Sequence, residues 1–254
     1  MPDYTIPSLK NACRLLQTLA METEPATIAE LADRLAIPRS TALRILATLE
    51  EQQFVRRIGK RYQLGVTLIP LGRSATGQHT QREHFVPILQ WVSKETDETC
   101  HLVQRVADHV LILHVCESPH PMSAHSSEGS LADLYCSATG KAILAQMPRA
   151  DAMSILSRIE LKPRTSKSLI SLDALSVELD KIAQQGYSVD DQEYHEGIRC
   201  MAVPVLSGVD SCVHSIGITA SISRFTRNRF GSVHKVLKIA SDQLEGIFRL
   251  QLRK

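Results

Sequence analysis

Between Ile37 and Phe54 the chain reads IPRSTALRILATLEEQQF, a spacing that demands a helix with one buried side. As a helix it gathers Ala42, Ile45, Leu46 and Leu49 on one stripe, the i, i+3, i+4, i+7 pattern of a core-facing surface. Ser40, Arg44 and Ala47 fall on the opposite side, Thr41 and Thr48 flank it, and Arg39 stands at its start. Short hydroxyl and methyl side chains beside a long guanidinium suit a helix that enters a DNA major groove.

The residues before it complete a helix-turn-helix. Leu9, Ala12, Cys13, Leu16, Leu19 and Ala20 repeat at helical spacing from Ser8, a candidate N-cap. Thr27-Ile-Ala-Glu30 is a capping-box pattern, and Ile28, Leu31, Ala32 and Leu35 give the second helix its apolar face. Ile37-Pro38 then allows only a brief turn, because proline disfavours helix in the residue before it and suits the first turn after it. Downstream, Phe54 to Leu64 reads as two short strands around Gly59-Lys60, with Arg56, Arg57, Lys60 and Arg61 crowded near the tip. Such cations repel one another on a free surface, and a phosphate backbone relieves that repulsion.

The order SLKNACRLLQTLA, TIAELADRLAIPRSTALRILATLEEQQFVRR, RYQLGVTLIPLG resembles the N-terminal winged helix-turn-helix domain of IclR-type bacterial transcriptional regulators. CSATGKAILAQM, then GYSVDDQEYHEGIRCMAVPV, then an apolar strand and a long terminal helix resemble the effector-binding domain of the same family, so the resemblance covers nearly the whole chain. It implies an α+β two-domain protein: a winged helix-turn-helix domain over 1–66, a linker helix over 67–79, and a GAF-like effector-binding domain with an antiparallel sheet over 80–254. It also implies a homodimer or dimer of dimers on a DNA operator, controlled by a small metabolite, commonly an organic acid. Position by position it places that effector near Ala138, Thr139, Gly140, Asp190, Cys200, Gly217 and Thr219. Two departures stand out. Gly217-Ile-Thr219 replaces the Ser-x-Ser of many relatives, and Leu134-Tyr135-Cys136 replaces Pro-Leu-His. Loss of a hydroxyl at Gly217 is expected to open space for a larger or less polar effector.

The residues themselves carry the second half some way without the family. His101–Val106 and His109–Cys116 alternate around Ala107-Asp108 as an antiparallel hairpin, and strands are expected at 198–206 and 212–220. Helices are expected at 80–92, 138–145, 151–159, 173–185 and 226–250, with Gly186 as a stop. Trp91, the single tryptophan, reads as a packing anchor. Gly140-Lys141 lacks the leading glycine and the following Ser or Thr of a P-loop, so it reads as a helix N-terminus able to seat a carboxylate rather than a nucleotide phosphate. Arg199 is expected to pair with Glu193 or Glu196.

Composition bounds the alternatives. A length of 254 residues with 43 % hydrophobic and 22 % charged side chains accommodates two soluble domains, and a net charge of +2 says little about nucleic acid. No apolar run nears the roughly 18–20 residues of a membrane span. The N-terminus carries no secretory pattern, so a cytoplasmic protein without membrane contact is expected. The six cysteines are scattered, and His101, His114, His120 and His125 show no ligand spacing, so neither metal nor cofactor is expected. No nucleophile elbow or oxyanion-hole glycine run supports an enzyme. A cysteine-redox-responsive DNA-binding regulator is the alternative to effector control.

Overall fold

The structure is a computed structural model that describes residues 4–22, 24–78, 82–121, 123, 126–206 and 214–251. The chain divides into two compact units, Met1–Thr80 and Gln81–Lys254. Among the described residues no helix is long and apolar enough to cross a membrane.

The first unit holds α1 (Pro7–Met21), β1 (Ala26–Thr27), α2 (Ile28–Leu35), α3 (Arg39–Glu51), β2 (Val55–Ile58), β3 (Arg61–Leu64) and α4 (Leu68–Gln78). Thr27 caps α2 as its sequence demands: the Glu30 amide donates to the Thr27 hydroxyl and the Thr27 amide to the Glu30 carboxylate at 2.7 Å. Ser8 does not cap α1. The helix starts two residues earlier, behind Ile6, with no side-chain cap and Pro7 in its first turn. Of the expected α1 stripe Leu19 is buried and Ala12 and Leu16 pack partly buried against the core, but Leu9 and Cys13 stay exposed and Leu15, outside that stripe, enters the core. The wing has a third strand, with β1 pairing beside β3 in the order β1-β3-β2. Gly59, at φ +61°, takes the first position of the two-residue β2–β3 turn, where glycine avoids the Cβ clash.

The second unit is a six-stranded antiparallel sheet between two helical layers. Its strands are β4 (Thr99–Val106), β5 (His109–Cys116), β6 (Leu131–Asp133), β7 (Ser188–Asp191), β8 (Ile198–Val205) and β9 (His214–Ser221), ordered β6-β5-β4-β9-β8-β7. Helices α5 (Arg82–Thr96) and α9 (Phe230–Gln251) cover one face, where Phe85, Leu89, Leu102, Met201, Ile216, Ile218 and Leu237 share a core. Trp91 packs partly buried against that core. On the other side lie α6 (Ala138–Ala145), α7 (Arg149–Leu156) and α8 (Leu172–Gln185), packed through Ile143, Leu144, Leu156, Leu175 and Leu179. Because side chains alternate along a strand, the residues between those core positions, such as His101 and Val103 on β4 or Cys200 on β8, face the α6 side. Gly186 ends α8 in the left-handed region at φ +80°, as expected of a helix stop.

The short strands β1, β6 and β7 are not shown by the periodicity, a 3-10 turn over Arg227–Arg229 takes the place of the expected start of α9, and Thr80, His125 and Cys212 lie outside the described residues.

Candidate functional site

In the first unit, α3 buries Ala42, Ile45 and Leu46 and half-buries Leu49, leaving the opposite face free. Arg39, Ser40, Arg44, Ala47 and Thr48 are exposed on it and Thr41 is half-buried. The Thr48 hydroxyl donates back to the Arg44 carbonyl at 3.0 Å, which leaves the guanidinium of Arg44 as the long group on this face.

The four wing cations are not equivalent. Pairing of Arg57 with Tyr62 and of Arg56 with Gln63 puts Arg56 and Arg57 on opposite faces of the hairpin. The Arg57 guanidinium donates to the Gly59 carbonyl at 2.8 Å and lies 5.9 Å from the centre of the buried Tyr62 ring. Arg61 turns back into the fold, donating to the Pro25 carbonyl at 2.7 Å with Glu30 3.7 Å away. The side chains of Arg56 and Lys60 are exposed and make no hydrogen bond or ion pair among the described residues.

In the second unit a cavity of about 310 Å³ lies between the sheet and the start of α6. Val103, Val110, Ile112, Leu131 and Ile198 make its apolar walls, and Ser137, Ala138 and Thr139 bring the helix N-terminus to it. Ser137 is the α6 cap: its hydroxyl accepts from the Gly140 amide at 3.1 Å and donates to the Asp133 carbonyl at 2.7 Å. Among the described residues the amides of Ala138 and Thr139 make no backbone hydrogen bond, as expected of the first helical turn. The Ser188 hydroxyl donates to the Ala138 carbonyl at 2.5 Å and so ties this helix to β7.

Five of the seven residues expected at the effector meet at this cavity: Ala138, Thr139, Asp190, Cys200 and Thr219. Gly140 and Gly217 do not line it. A β-carbon at Gly140 would come 2.2 Å from the Leu134 carbonyl oxygen, so this glycine lets α6 cross the chain before it. At Gly217 a β-carbon would meet the Met201 carbonyl at 2.7 Å and the Ala202 β-carbon at 2.9 Å, so the missing side chain opens no space for a ligand. Asp190 is almost wholly buried and turns one oxygen to the amides of Glu193, at 2.6 Å, and Tyr194, at 3.2 Å. Burial nevertheless pushes its pKa up. Burial also lifts the Cys200 thiol well above its ordinary value, and its sulfur lies 3.4 Å from the Thr219 hydroxyl.

Two relationships escape the sequence. Arg199 pairs with Asp191 at 2.7 Å rather than with Glu193 or Glu196, because the β7–β8 register sets those two residues opposite each other. Glu193 belongs instead to Lys141, a wholly buried lysine of α6. The cavity also takes in His101, Tyr194 and His195. Strand alternation in β4 signals His101, but only once the buried face of that strand is known. Among the described residues no group of three His, Cys, Asp or Glu could hold a metal ion.

Residues 8–59 match the IclR helix-turn-helix domain, and residues 74–245 match the family described as bacterial transcriptional regulator IclR C-terminal. The chain belongs to the IclR family. The HTH-type transcriptional regulator KdgR of Escherichia coli (strain K12) is 30 % identical over 246 residues, covering 96 % of this chain and 92 % of its own. The transcriptional repressor IclR of the same organism is 30 % identical over 244 residues, covering 93 % and 88 %. The crystal structure of an IclR-type regulator from Alicyclobacillus acidocaldarius superposes with a TM-score of 0.76 at 28 % identity, covering 97 % of this chain and all of the other. The protein is thus an IclR-family DNA-binding transcriptional regulator, with a helix-turn-helix unit followed by an α+β unit built on an antiparallel sheet.

Proposed function

We propose that this IclR-family regulator is controlled by a small organic or aromatic acid that binds in the cavity of the second unit. The observation that carries the reading is the cavity itself, with the first turn of α6 in its wall and apolar strand residues opposite. Free amides and the positive end of the helix dipole favour a carboxylate there. On the DNA side, Ser40, Thr41 and Arg44 would meet base edges, with Arg39 and Thr48 at the margins of that face. Arg56, Arg57 and Lys60 would meet phosphates, and Arg61 would contribute mainly by fixing the wing. A single α3 reads only a few base pairs, so a homodimer or dimer of dimers on a pseudo-palindromic operator supplies the specificity. Residues 67–79 then act as the linker between domains 1–66 and 80–254, and the protein works in the cytoplasm on chromosomal DNA. An effector shifts operator affinity only by binding one arrangement of the subunits better than another.

A thermal-shift screen of the full-length protein against small organic and aromatic acids tests this, because a ligand that binds only the native state raises Tm. A hit that also changes operator affinity is the expected result. A screen in which no acid raises Tm or changes operator affinity overturns acid control. The redox alternative has less support, since burial raises the thiols of Cys100, Cys136 and Cys200 and so suppresses their thiolates.

A further inference from the structure

His101 lines the cavity, yet no described residue hydrogen-bonds either of its ring nitrogens. The residue is 7 % exposed and its Nδ1 is buried with no hydrogen-bond partner. Burial holds the imidazole neutral, pulling its pKa down to about 4. A neutral ring carries one proton and one lone pair, and a buried N–H without an acceptor is the costlier orphan. With Nδ1 buried and unpartnered the proton belongs on Nε2, and through it His101, which lines the cavity, can offer an uncharged donor.

The rest of the lining narrows what that donor can meet. Among the described residues no lysine or arginine lines the cavity, whereas Asp190 does. One carboxylate can rest on the amides of Ala138 and Thr139, but a second negative charge would find no cation and would be desolvated beside Asp190. Val103, Val110, Ile112, Leu131 and Ile198 in the same lining favour an apolar body on the ligand.

We propose that His101 is a specificity-determining residue: the cavity takes a monocarboxylic acid that carries an uncharged oxygen, a hydroxyl or carbonyl, on an apolar body, and it rejects dicarboxylates and phosphorylated compounds. The inference rests on reading this cavity as an acid-binding effector pocket.

Isothermal titration of the full-length protein tests it with rigid probes: benzoate, its ortho-, meta- and para-hydroxy derivatives, and the three benzenedicarboxylates. One hydroxybenzoate isomer is expected to bind about tenfold more tightly than benzoate, the worth of one well-made hydrogen bond. Every dicarboxylate is expected to bind more weakly than benzoate. His101→Leu should keep benzoate binding and lose the preference for the hydroxyl, and His101→Gln, whose amide still donates, should retain part of it. The proposal is overturned if no isomer exceeds benzoate, if a dicarboxylate binds tightest, or if His101→Leu keeps the preference. Benzoate binding without discrimination removes the role of His101 alone. No binding by any of the acids removes the acid-effector reading together with it. Should His101→Leu fail to fold, the ligand series on the unaltered protein decides by itself.

Discussion

Lys141 Nζ lies 2.5 Å from Glu193 Oε1, and the two residues stand 52 positions apart in the chain. The lysine is completely buried and also donates to the Val189 carbonyl at 2.8 Å, with Glu178 3.8 Å away. Glu193 Oε2 is buried without a hydrogen-bond partner among the described residues. This pair fastens α6 to the turn after β7, and both elements contribute to the cavity.

Removing the lysine alone strands a buried carboxylate, so Lys141→Met should lower stability by about 3–5 kcal/mol near pH 8. Burial pushes the Glu193 pKa from 4.5 up to about 7, against the pull of Lys141. In the window between those values the folded protein holds a proton that the unfolded chain has released, so the contribution of Glu193 falls as pH rises. Loss of Lys141 shifts Glu193 further in the same direction. Urea denaturation of Lys141→Met should therefore show a much smaller deficit at pH 5 than at pH 8, and equal deficits would contradict the pairing.

Gly140→Ala separates a packing role from a ligand role. Alanine gains helix propensity, but its β-carbon would overlap the Leu134 carbonyl oxygen at 2.2 Å. Overpacking of this kind costs about 1–3 kcal/mol, so the variant should melt earlier even without ligand. Unchanged stability with lost effector binding would return Gly140 to the ligand site.

On DNA, Arg44→Ala should cost about 1–3 kcal/mol at the operator and relax base preference, whereas Lys60→Ala should weaken all sequences alike and reduce the salt slope by about one. Fluorescence anisotropy over a salt series reads both. Equal loss of base selectivity in the two variants would sink that division of labour.

Arg61→Ala should behave differently from Lys60→Ala before any DNA is added. Its guanidinium holds the Pro25 carbonyl beside the wing, and losing that bond should destabilise the first unit by about 1 kcal/mol. Lys60→Ala should leave stability within about 0.5 kcal/mol. Thermal melts of the two variants provide the comparison.

Alkylation by iodoacetamide near neutral pH should reach Cys13 first, because it is exposed. Burial, aided by the Asp133 carboxylate, pushes the Cys136 thiol up to about 12, and burial lifts Cys100 and Cys200 well above their ordinary range. Mass spectrometry should find those three unmodified until the protein is denatured. Rapid native labelling of Cys200 would revive thiol control.

What was legible in the sequence was local chemistry. The Thr27–Glu30 box, the Pro38 boundary, the Ala107-Asp108 turn and the Gly186 stop each depend on a few neighbouring residues, and each stands where its residue types demand. The buried side of α1 was ambiguous because Leu15 and Leu16 are adjacent, and two stripes about 100° apart fit one helical period equally well. Asp191 rather than Glu193 as the partner of Arg199 follows from strand register, and Lys141 with Glu193 from the docking of a helix on a distant turn. The site was read as a region from family resemblance. Its floor at His101, and the close backbone approaches at Gly140 and Gly217, needed the third dimension.

β6 is a three-residue edge strand whose strand pairing is to β5 and whose Asp133 also bonds Ser137 and Arg164, and its Leu131 and Ala132 form one wall of the cavity. The other five strands carry the rest of the ladder, so this outer wall can be rewritten without disturbing their register. Substitutions at this margin of the sheet can therefore reshape the cavity while the central strands keep their pairing.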